Sequence, residues 1–410
     1  MNLIKKFEDL APYLLPFSLA FSRTIADATL LLIVILFLIK SFKEKDFLWL
    51  KIGWVRYFLI FIFYLIFLNS PFSFNIKDSL IYSIEFIRWP IFSIALSYWI
   101  FTNTKSLEKL FVSMLIMLLI FLLLMWYQFI FDPQGLFGLS TNKHGRLTVP
   151  FSNNVIPGRI ITLFTFILLP IYIFLNKKNN QKSSTFTIFL IIFIGLISTL
   201  ITGERMSFLI FLSSFIIFLL AIFLDNKKNI YFLITVFLIS FISIFLFKEL
   251  SPTTYERAIN STIEKIINLP NSDYGIVFNT SIEKWKNNFF LGGGLHQFKN
   301  INPTQGYGVM EGWVIYHAHN LPLNLLVEIG FIGLILFYLL IFKIIKLNYD
   351  RLKARKESFL FVLTLIIFYI NFFPLHSHFK LSHNWINALI WFSIGITLAI
   401  TNFYEKNNKN

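Results

Sequence analysis

The chain has 410 residues, of which 56% are hydrophobic and 14% charged, and its formal net charge is +15. This composition is too apolar for a soluble globular protein and indicates an integral membrane protein. The chain contains no cysteine, which excludes disulfides, thiolate catalysis and cysteine-bound metals within it. In a membrane protein the excess of Lys and Arg is informative through its distribution between loops, so it does not indicate a nucleic-acid partner.

Long apolar segments predict an all-α polytopic fold of about twelve transmembrane helices, because roughly 18–25 apolar residues cross a bilayer as a helix. The first two form a hairpin within residues 11–40, and its turn contains Arg23 and Asp27. The alternating ten-residue pattern of a membrane barrel is absent from the sequence. The further predicted spans are 54–69, 78–101, 107–131, 156–175, 184–202, 206–224, 229–247, 322–345, 357–374 and 384–402.

The loop charges predict that both termini are cytoplasmic. Lys and Arg concentrate in the loops on the side of the N-terminus, as expected for cytoplasmic loops. In this topology every histidine falls on the opposite side, which is therefore the expected location of any proton chemistry. The histidines are His144, His296, His317, His319, His376, His378 and His383.

The loop lengths divide the chain into three parts. Residues 1–247 contain spans one to nine, residues 248–321 form one long polar loop, and residues 322–410 contain the last three spans and a tail. A loop this long between membrane spans is usually functional. The large loop includes a glycine triplet at 292–294 and an amphipathic piece at 255–267.

The most specific local pattern begins at the end of this loop. His319 and Asn320 are followed by nine residues, LPLNLLVEI, then by Gly330, two residues and Gly333. This pattern resembles that of the bacterial O-antigen ligases, O-antigen polymerases and related oligosaccharyltransferases. The resemblance is specific over about residues 200–340.

Two other stretches share the resemblance. Arg205 is followed after three residues by Leu209, which is similar to a second pattern of the family. The stretch GRLTVPFSNN, which contains Arg146, is similar to an exterior loop of these proteins.

The resemblance implies a GT-C-like inverting glycosyltransferase of the bacterial inner membrane, with one large periplasmic loop between spans nine and ten. Such an enzyme transfers a glycan from undecaprenyl diphosphate to an acceptor hydroxyl at the periplasmic face, without a metal or other cofactor. His319 would be the general base and Arg205 a ligand of the diphosphate. A base of near-neutral pKa suits the hydroxyl, and cations suit the departing diphosphate. The implied partners are the lipid-linked donor, a lipid A core or glycan acceptor, and membrane lipids.

Plain structural interpretations stand beside these roles. His319 is also explained as a histidine that flanks a helix with Asn320 as the N-cap, and Arg205 as an arginine that reaches the interface. His317 either shapes the pocket or is solvated. Arg146 and Arg159 are candidates for binding the diphosphate or the glycan, with solvated loop charge as the alternative for Arg146.

One departure from the family concerns the large loop. Relatives carry another arginine upstream of the glycine turn, and residues 272–288 contain none. Arg257, Lys284 and Lys286 are the candidates to replace it, although a lysine supplies a point charge where an arginine supplies a fork.

Other polar residues are open to two interpretations. Glu85 and Arg88 share a helix face within a span, which suits a functional pair or a structural ion pair. Glu328 is expected to form hydrogen bonds inside the bundle. His376, His378 and His383 have the residue type of a metal site, but a solvated loop explains them better, and we expect no metal.

Three functions compete on this sequence. Ligation of O-antigen to a lipid A core is the first choice, because one large loop and the absence of a large C-terminal exterior domain suit a ligase. A polymerase of the same family differs only in its acceptor. A lipid-oligosaccharide flippase or another transporter is a more distant alternative, which predicts buried mid-span charges and a repeated architecture.

Overall fold

The computed structural model describes residues 2–131, 146–150, 156–181, 183–225, 252–256, 260–301, 315–375 and 380–406, with isolated positions between 226 and 250. The regular structure of these residues is helical throughout. The α-helices are α1 (Asn2–Phe21), α2 (Arg23–Glu44), α3 (Gly53–Phe63), α4 (Ile76–Phe86), α5 (Arg88–Ala95), α6 (Thr104–Ile130), α7 (Pro157–Lys178), α8 (Thr185–Ile201), α9 (Arg205–Asp225), α10 (Pro252–Tyr255), α11 (Ser261–Ile267), α12 (Asp273–Lys286), α13 (Leu321–Lys353), α14 (Ser358–Phe372) and α15 (Asn384–Lys406).

Eight helices among the described residues are long and apolar enough to cross a membrane. Two more apolar helices, Phe186–Ile201 and Ser358–Phe372, are shorter. Helix α1 supplies the first half of the predicted hairpin, and most of the predicted span 229–247 lies outside the described residues. The polytopic helical fold is therefore confirmed, while the number twelve stays a prediction. The eight are Arg23–Glu44, Gly53–Phe72, Ile76–Ile100, Thr104–Ile130, Pro157–Lys178, Arg205–Phe223, Leu321–Lys353 and Asn384–Glu405.

Helices α7 and α15 form the centre of the bundle. In the most apolar 18-residue stretch of each of them 89% of the residues are buried, whereas in that of α2 only 33% are. Because α2 leaves large apolar side chains uncovered, it is a peripheral helix that faces lipid in the bilayer.

The loops cluster at two ends of the bundle. We call the end that carries His296, His317, His319 and His383 the histidine end. There, loops that are distant in sequence bind one another: Lys380 Nζ donates to the carbonyl of Tyr316 over 2.8 Å. Ion pairs between helix ends at the opposite end include Lys177 with Glu357 and Arg351 with Glu405.

The long loop predicted at 248–321 is largely helical where the structure describes it. Helices α11 and α12 and a 3-10 turn at Phe298–Asn300 lie at the histidine end, and α12 packs against α13. Ser272 caps α12 by accepting from the N–H of Gly275 over 3.3 Å. The predicted loop is thus a small helical layer over the bundle.

Helix α13 is broken at Gly330. Its φ of +65° and ψ of −175° belong to a region that only glycine enters readily. The break separates residues 321–329 from residues 331–353 and leaves carbonyl and N–H groups of the helix without helical partners. Segment 289–294 of the large loop fills the gap with its own backbone.

The bonds across this break are reciprocal. The N–H groups of Gly293 and Gly294 donate to the carbonyls of Val327 and Glu328, each over 2.9 Å. In return, the N–H of Phe331 donates to the carbonyl of Phe289 over 3.0 Å. Non-helical backbone is tolerated at membrane depth only where such partners satisfy it.

Two side chains of the segment after α3 complete the junction. The hydroxyl of Tyr64 donates to the carbonyl of Ile329 over 2.6 Å, and the amide of Asn69 donates to those of Leu291 and Glu328 over 2.7 and 3.0 Å. Tyr64 and Asn69 are almost wholly buried. The break is therefore a built feature of the fold.

Candidate functional site

His319 lies in the loop that leads into α13, in a strained backbone conformation. Its φ is +49°, which is uncommon for a residue with a Cβ and frequent at functional sites. Asn320 then caps α13 by accepting from the N–H of Leu323 over 3.0 Å. The predicted N-cap is confirmed, and it fixes His319 at the entrance to the helix. The ring of His317 lies 4.1 Å from that of His319, centroid to centroid.

A cavity of about 350 Å³ opens beside His319. Apolar side chains from α9, the large loop and the segment after α14 form most of its wall. Its polar side chains are those of Arg205, His319 and Tyr274, and the Tyr274 ring meets that of His319 edge-on at 6.1 Å. The full lining is Arg205, Met206, Leu209, Ile266, Leu269, Tyr274, Phe278, His319, Phe373 and Leu375.

Arg205 begins α9 and reaches the same cavity. Its Nη2 donates to the hydroxyl of Ser261, at the start of α11, over 2.7 Å. Leu209 lies one turn further along α9 and lines the cavity too, because residues four apart share a helix face. The Arg-x-x-x-Leu spacing therefore places a cation and an apolar contact on one wall.

Glu204 connects the arginines of the site. Its carboxylate accepts from the N–H of Gly158 and from the hydroxyl of Ser207, each over 2.8 Å. It thereby caps α7, whose own N-cap residue, Ile156, has no capping side chain. A Cβ on Gly158 would lie only 2.8 Å from Thr202 Oγ1, so glycine is needed for this approach.

The charge of Glu204 acts on both Arg146 and Arg159. Burial lowers the pKa of Arg146, and Glu204 opposes this shift while Arg205 adds to it, so these groups lie close together. Arg159 follows Gly158 in α7 and is also under the influence of Glu204. Burial raises the pKa of Glu204 to about 7, although the bonds from Gly158 and Ser207 and the charge of Arg146 favour its ionised form.

Arg159 is the most enclosed cation of the site. Its side chain is 4% exposed, and its Nη1 and Nη2 atoms have no hydrogen-bond partner among the described residues. The charge of Glu204 acts on Arg159, and the charge of Arg159 in turn acts on His383.

A second group of contacts fixes the backbone of the loop that carries His317 and His319. Asn324 Oδ1 accepts from the N–H of Ala318 over 3.4 Å, and Lys380 binds the carbonyl of Tyr316. Glu328 is 1% exposed, and its Oε2 atom has no hydrogen-bond partner among the described residues. The internal hydrogen bonds expected of Glu328 therefore stay a prediction.

The motif glycines serve the break of α13 rather than the cavity. A Cβ at Gly330 would lie 2.3 Å from the carbonyl oxygen of Phe290, and one at Gly333 would lie 2.8 Å from the ring of Tyr64. Both positions allow another part of the chain to approach the helix backbone.

The candidate replacements for the missing arginine have other partners. Lys284 Nζ donates to the carbonyl of Phe298 over 2.8 Å, and burial lowers its pKa to about 8. Lys286 pairs with Glu283 over 2.7 Å. Arg257 lies outside the described residues. Of these candidates, the two lysines contribute to the large loop and do not line the described cavity.

The structure changes two further interpretations. The nearer partner of Arg88 is Asp27, with Nη2 and Oδ1 3.3 Å apart, whereas Glu85 lies 3.9 Å away, so the ion pair joins α2 to α5. His383 caps α15 by accepting from the N–H of Ile386 over 3.4 Å. His376 and His378 lie outside the described residues, and the described ones contain no group of three side chains suited to a metal.

Sequence reasoning did not single out Glu204 or Lys380 as members of the site. For Glu204 the available signal was a carboxylate next to Arg205 at the entrance to a span. For Lys380 there was no comparable signal, because its partner is a backbone carbonyl sixty-four positions away.

Fold and site together define a polytopic helical membrane protein in which Arg205 and His319 line one largely apolar cavity at one end of the bundle. Residues 188–338 match the family described as O-antigen ligase, so the recognition of this family from the motifs is confirmed. The matched segment includes Arg205, Leu209, His319, Gly330 and Gly333. No curated protein matches the chain.

Proposed function

We propose that the protein transfers a glycan from a polyprenyl diphosphate to an acceptor hydroxyl, and that the histidine end faces the periplasm. The observation that carries this proposal is that His319 and Arg205 line one cavity whose remaining wall is largely apolar. A lipid-linked diphosphate needs all three features: a cation for the diphosphate, a base near the reacting carbon, and an apolar wall for the chain.

In the proposed reaction the acceptor oxygen forms a bond to the anomeric carbon of the donor. The bond from that carbon to the diphosphate oxygen breaks, and the diphosphate leaves with the electron pair on its polyprenyl carrier. His319 takes the proton of the hydroxyl, and a single displacement inverts the anomeric configuration. No nucleotide or metal is required, because diphosphate is already a good leaving group.

Arg205 and its neighbours stabilise the departing diphosphate. Negative charge grows on the diphosphate as the bond breaks, and fixed cations in a water-poor site are most effective there. Arg146 and Arg159 belong to the same network through Glu204, so they supply further positive charge to the site. His317 and Asn320 position His319.

We assign the acceptor to a lipid A core, so that the protein is an O-antigen ligase. The family match supports a ligase or a polymerase equally, since both use the same donor. Deletion of the gene distinguishes them: polymerised glycan left on its lipid carrier supports the ligase, and single repeat units on the carrier support a polymerase.

The central test is transfer by the purified protein from a polyprenyl-diphosphate glycan. We expect His319→Ala to reduce the rate by about 100-fold or more, because it removes the base. Arg205→Gln should cost about 100-fold and Arg205→Lys about tenfold, because lysine keeps the charge but not the fork.

Arg56→Gln provides the matched control, because Arg56 is an exposed arginine near the start of α3 and distant from the cavity. It should retain the wild-type rate. Folding of each variant is verified by its thermal unfolding midpoint. Wild-type transfer by a folded His319→Ala protein would contradict the base, and wild-type transfer by Arg205→Gln would contradict the diphosphate ligand.

A further inference from the structure

A second cavity lies at the histidine end, between the first turns of α2 and α15. Its volume is about 300 Å³, and it shares no lining residue with the cavity beside His319. Its walls are formed by Arg23, Thr24, Asp27, His383, Asn384 and Trp385.

Arg23 gives the cavity one positively charged wall, and the charge of its acidic residue, Asp27, is balanced by an ion pair. The guanidinium carbon of Arg23 lies 5.3 Å from the centre of the Trp385 ring, and that ring is held by a bond from its Nε1 to the carbonyl of Leu19 over 2.8 Å. Asp27 is paired with Arg88, so its charge is offset from outside the cavity.

His383 shows that further positive charges, including that of Arg159, lie near the cavity. The pKa of His383 is lowered to about 4 by burial and by the positive charges of Arg159, Arg23 and Lys380, so three cations surround the histidine. Arg159 is 4% exposed, and its terminal nitrogens have no hydrogen-bond partner among the described residues. The charges that act on His383, on one wall of the cavity, are therefore positive.

Two helices also begin at the cavity. Arg23 is the first residue of α2 and Asn384 the first of α15. The N-terminus of a helix carries a partial positive charge and favours an anion. Two such termini together with a guanidinium form a site suited to a phosphate group, which accepts from several donors at once.

The cavity lies at the start of α2, a helix with many exposed apolar side chains. Thr24 is exposed at its rim, and below it α2 presents a row of exposed apolar side chains at helical spacing. The row consists of Ile25 (58% exposed), Leu32 (44%), Ile35 (52%), Ile39 (39%) and Phe42 (69%). The cavity and this apolar row therefore lie along one helix.

We propose that this cavity binds the phosphate headgroup of an anionic lipid whose acyl chains lie along α2. Arg23 is the principal ligand, and the first turns of α2 and α15 provide the surrounding positive field. The site is separate from the cavity of His319 and Arg205, and its occupancy does not require glycan transfer.

The test is direct binding to the full-length protein in a neutral detergent, with dioctanoyl phosphatidic acid as the probe. We expect saturable binding to the wild-type protein and binding about tenfold weaker to Arg23→Gln, which loses a charge-assisted contact. Thr24→Glu is the second variant, because it adds a negative charge at the exposed rim without disturbing the Arg23–Trp385 contact. It should weaken binding by a similar factor even if Arg23→Gln does not fold.

Three controls make the result decisive. Arg56→Gln should bind like the wild type, dioctanoyl phosphatidylcholine should not saturate the site, and inorganic phosphate should bind much more weakly than the lipid. Unchanged binding to the folded variants, or equal binding of the choline lipid, would overturn the proposal. Inorganic phosphate binding as tightly as the lipid would show a site for the free anion instead. Because no glycan is present, failure here leaves the proposed transferase activity standing.

Discussion

Glu204 shows how one carboxylate organises a basic site. It caps α7 through Gly158, binds Ser207 at the start of α9, and lies within reach of the charges of Arg146 and Arg159. Without it, several cations would repel one another in a poorly solvated region. Glu204 is thus a positioning residue for the arginines, while Arg205 itself is tethered to Ser261.

The raised pKa of Glu204 leads to a prediction on stability. Its pKa is about 7 in the folded protein, against an ordinary value of 4.5. The folded state therefore binds more protons than the unfolded chain between these values, and stability falls as pH rises through this window. Glu204→Gln should abolish that part of the decline, at most about 3 kcal/mol, because glutamine does not ionise.

The measurement is the thermal unfolding midpoint from pH 5 to pH 8. The difference between Glu204→Gln and wild type should shift in favour of the variant as pH rises. Glu44→Gln, which alters an exposed carboxylate at the opposite end of the bundle, should follow the wild type throughout. Parallel curves for Glu204→Gln and wild type would refute the role of ionisation at this position.

For single residues, the sequence predicted those that belong to a motif, but not those whose side chains hold the motif residues in place. His319, Asn320 and Arg205 were found because their spacing is distinctive, and His319 and Arg205 line one cavity. Lys380 was missed because it binds a backbone carbonyl, and such a partner leaves no trace in residue type.

Helix α13 is the element whose irregularity matters most. Its break at Gly330 lets backbone groups of residues 289–294 enter the bundle and hold the half-helix that begins next to His319. The spacing of the motif was recognised from the sequence. The break of α13 that explains its glycines was not predicted, because residues 289–294 are too short an apolar stretch to be identified as part of the membrane layer.

Gly330→Ala should destabilise the protein severely. The backbone conformation at Gly330 alone costs a residue with a Cβ on the order of 1–3 kcal/mol. The new Cβ would also lie 2.3 Å from the carbonyl oxygen of Phe290 and 2.4 Å from the nitrogen of Gly292, both rigid backbone atoms. We expect a total loss of more than about 3 kcal/mol, seen as a lower unfolding midpoint or a loss of monodisperse protein on size-exclusion chromatography.

Gly53→Ala is the matched control. Gly53 begins α3, and a Cβ there would meet no atom within 4 Å. Its substitution should leave the unfolding midpoint nearly unchanged or slightly higher, because alanine is the better helix former. Equal tolerance of alanine at both positions would refute the account of the break.

The whole molecule has two chemically different ends, and the proposed function requires the histidine end to face the periplasm. Hydropathy predicted the helices well, including the hairpin of α1 and α2, because long apolar segments are a strong signal. It did not predict the helical layer formed by the large loop, whose short helices are stabilised by packing on α13 rather than by their own sequence.

The lack of cysteine in the chain allows a clean test of orientation. Lys77→Cys introduces an exposed thiol in the first turn of α4, and Glu44→Cys introduces one at the end of α2. In membrane vesicles of native orientation, a membrane-impermeant maleimide should label Lys77→Cys at once. It should label Glu44→Cys only after permeabilisation. The reverse pattern would overturn the proposed orientation and, with it, the periplasmic reaction.

The junction at Gly330 also bears on how this protein can diverge. The bonds from residues 289–294 to α13 join main-chain atoms, so they do not depend on which side chains the segment carries. Phe290 is 63% exposed, so other residues can replace it. Gly292 and Gly330 cannot be replaced in this way, because backbone atoms fill the space of any Cβ there. Relatives can therefore differ widely in sequence along this segment and still fix the residue equivalent to His319 at the same depth relative to the membrane.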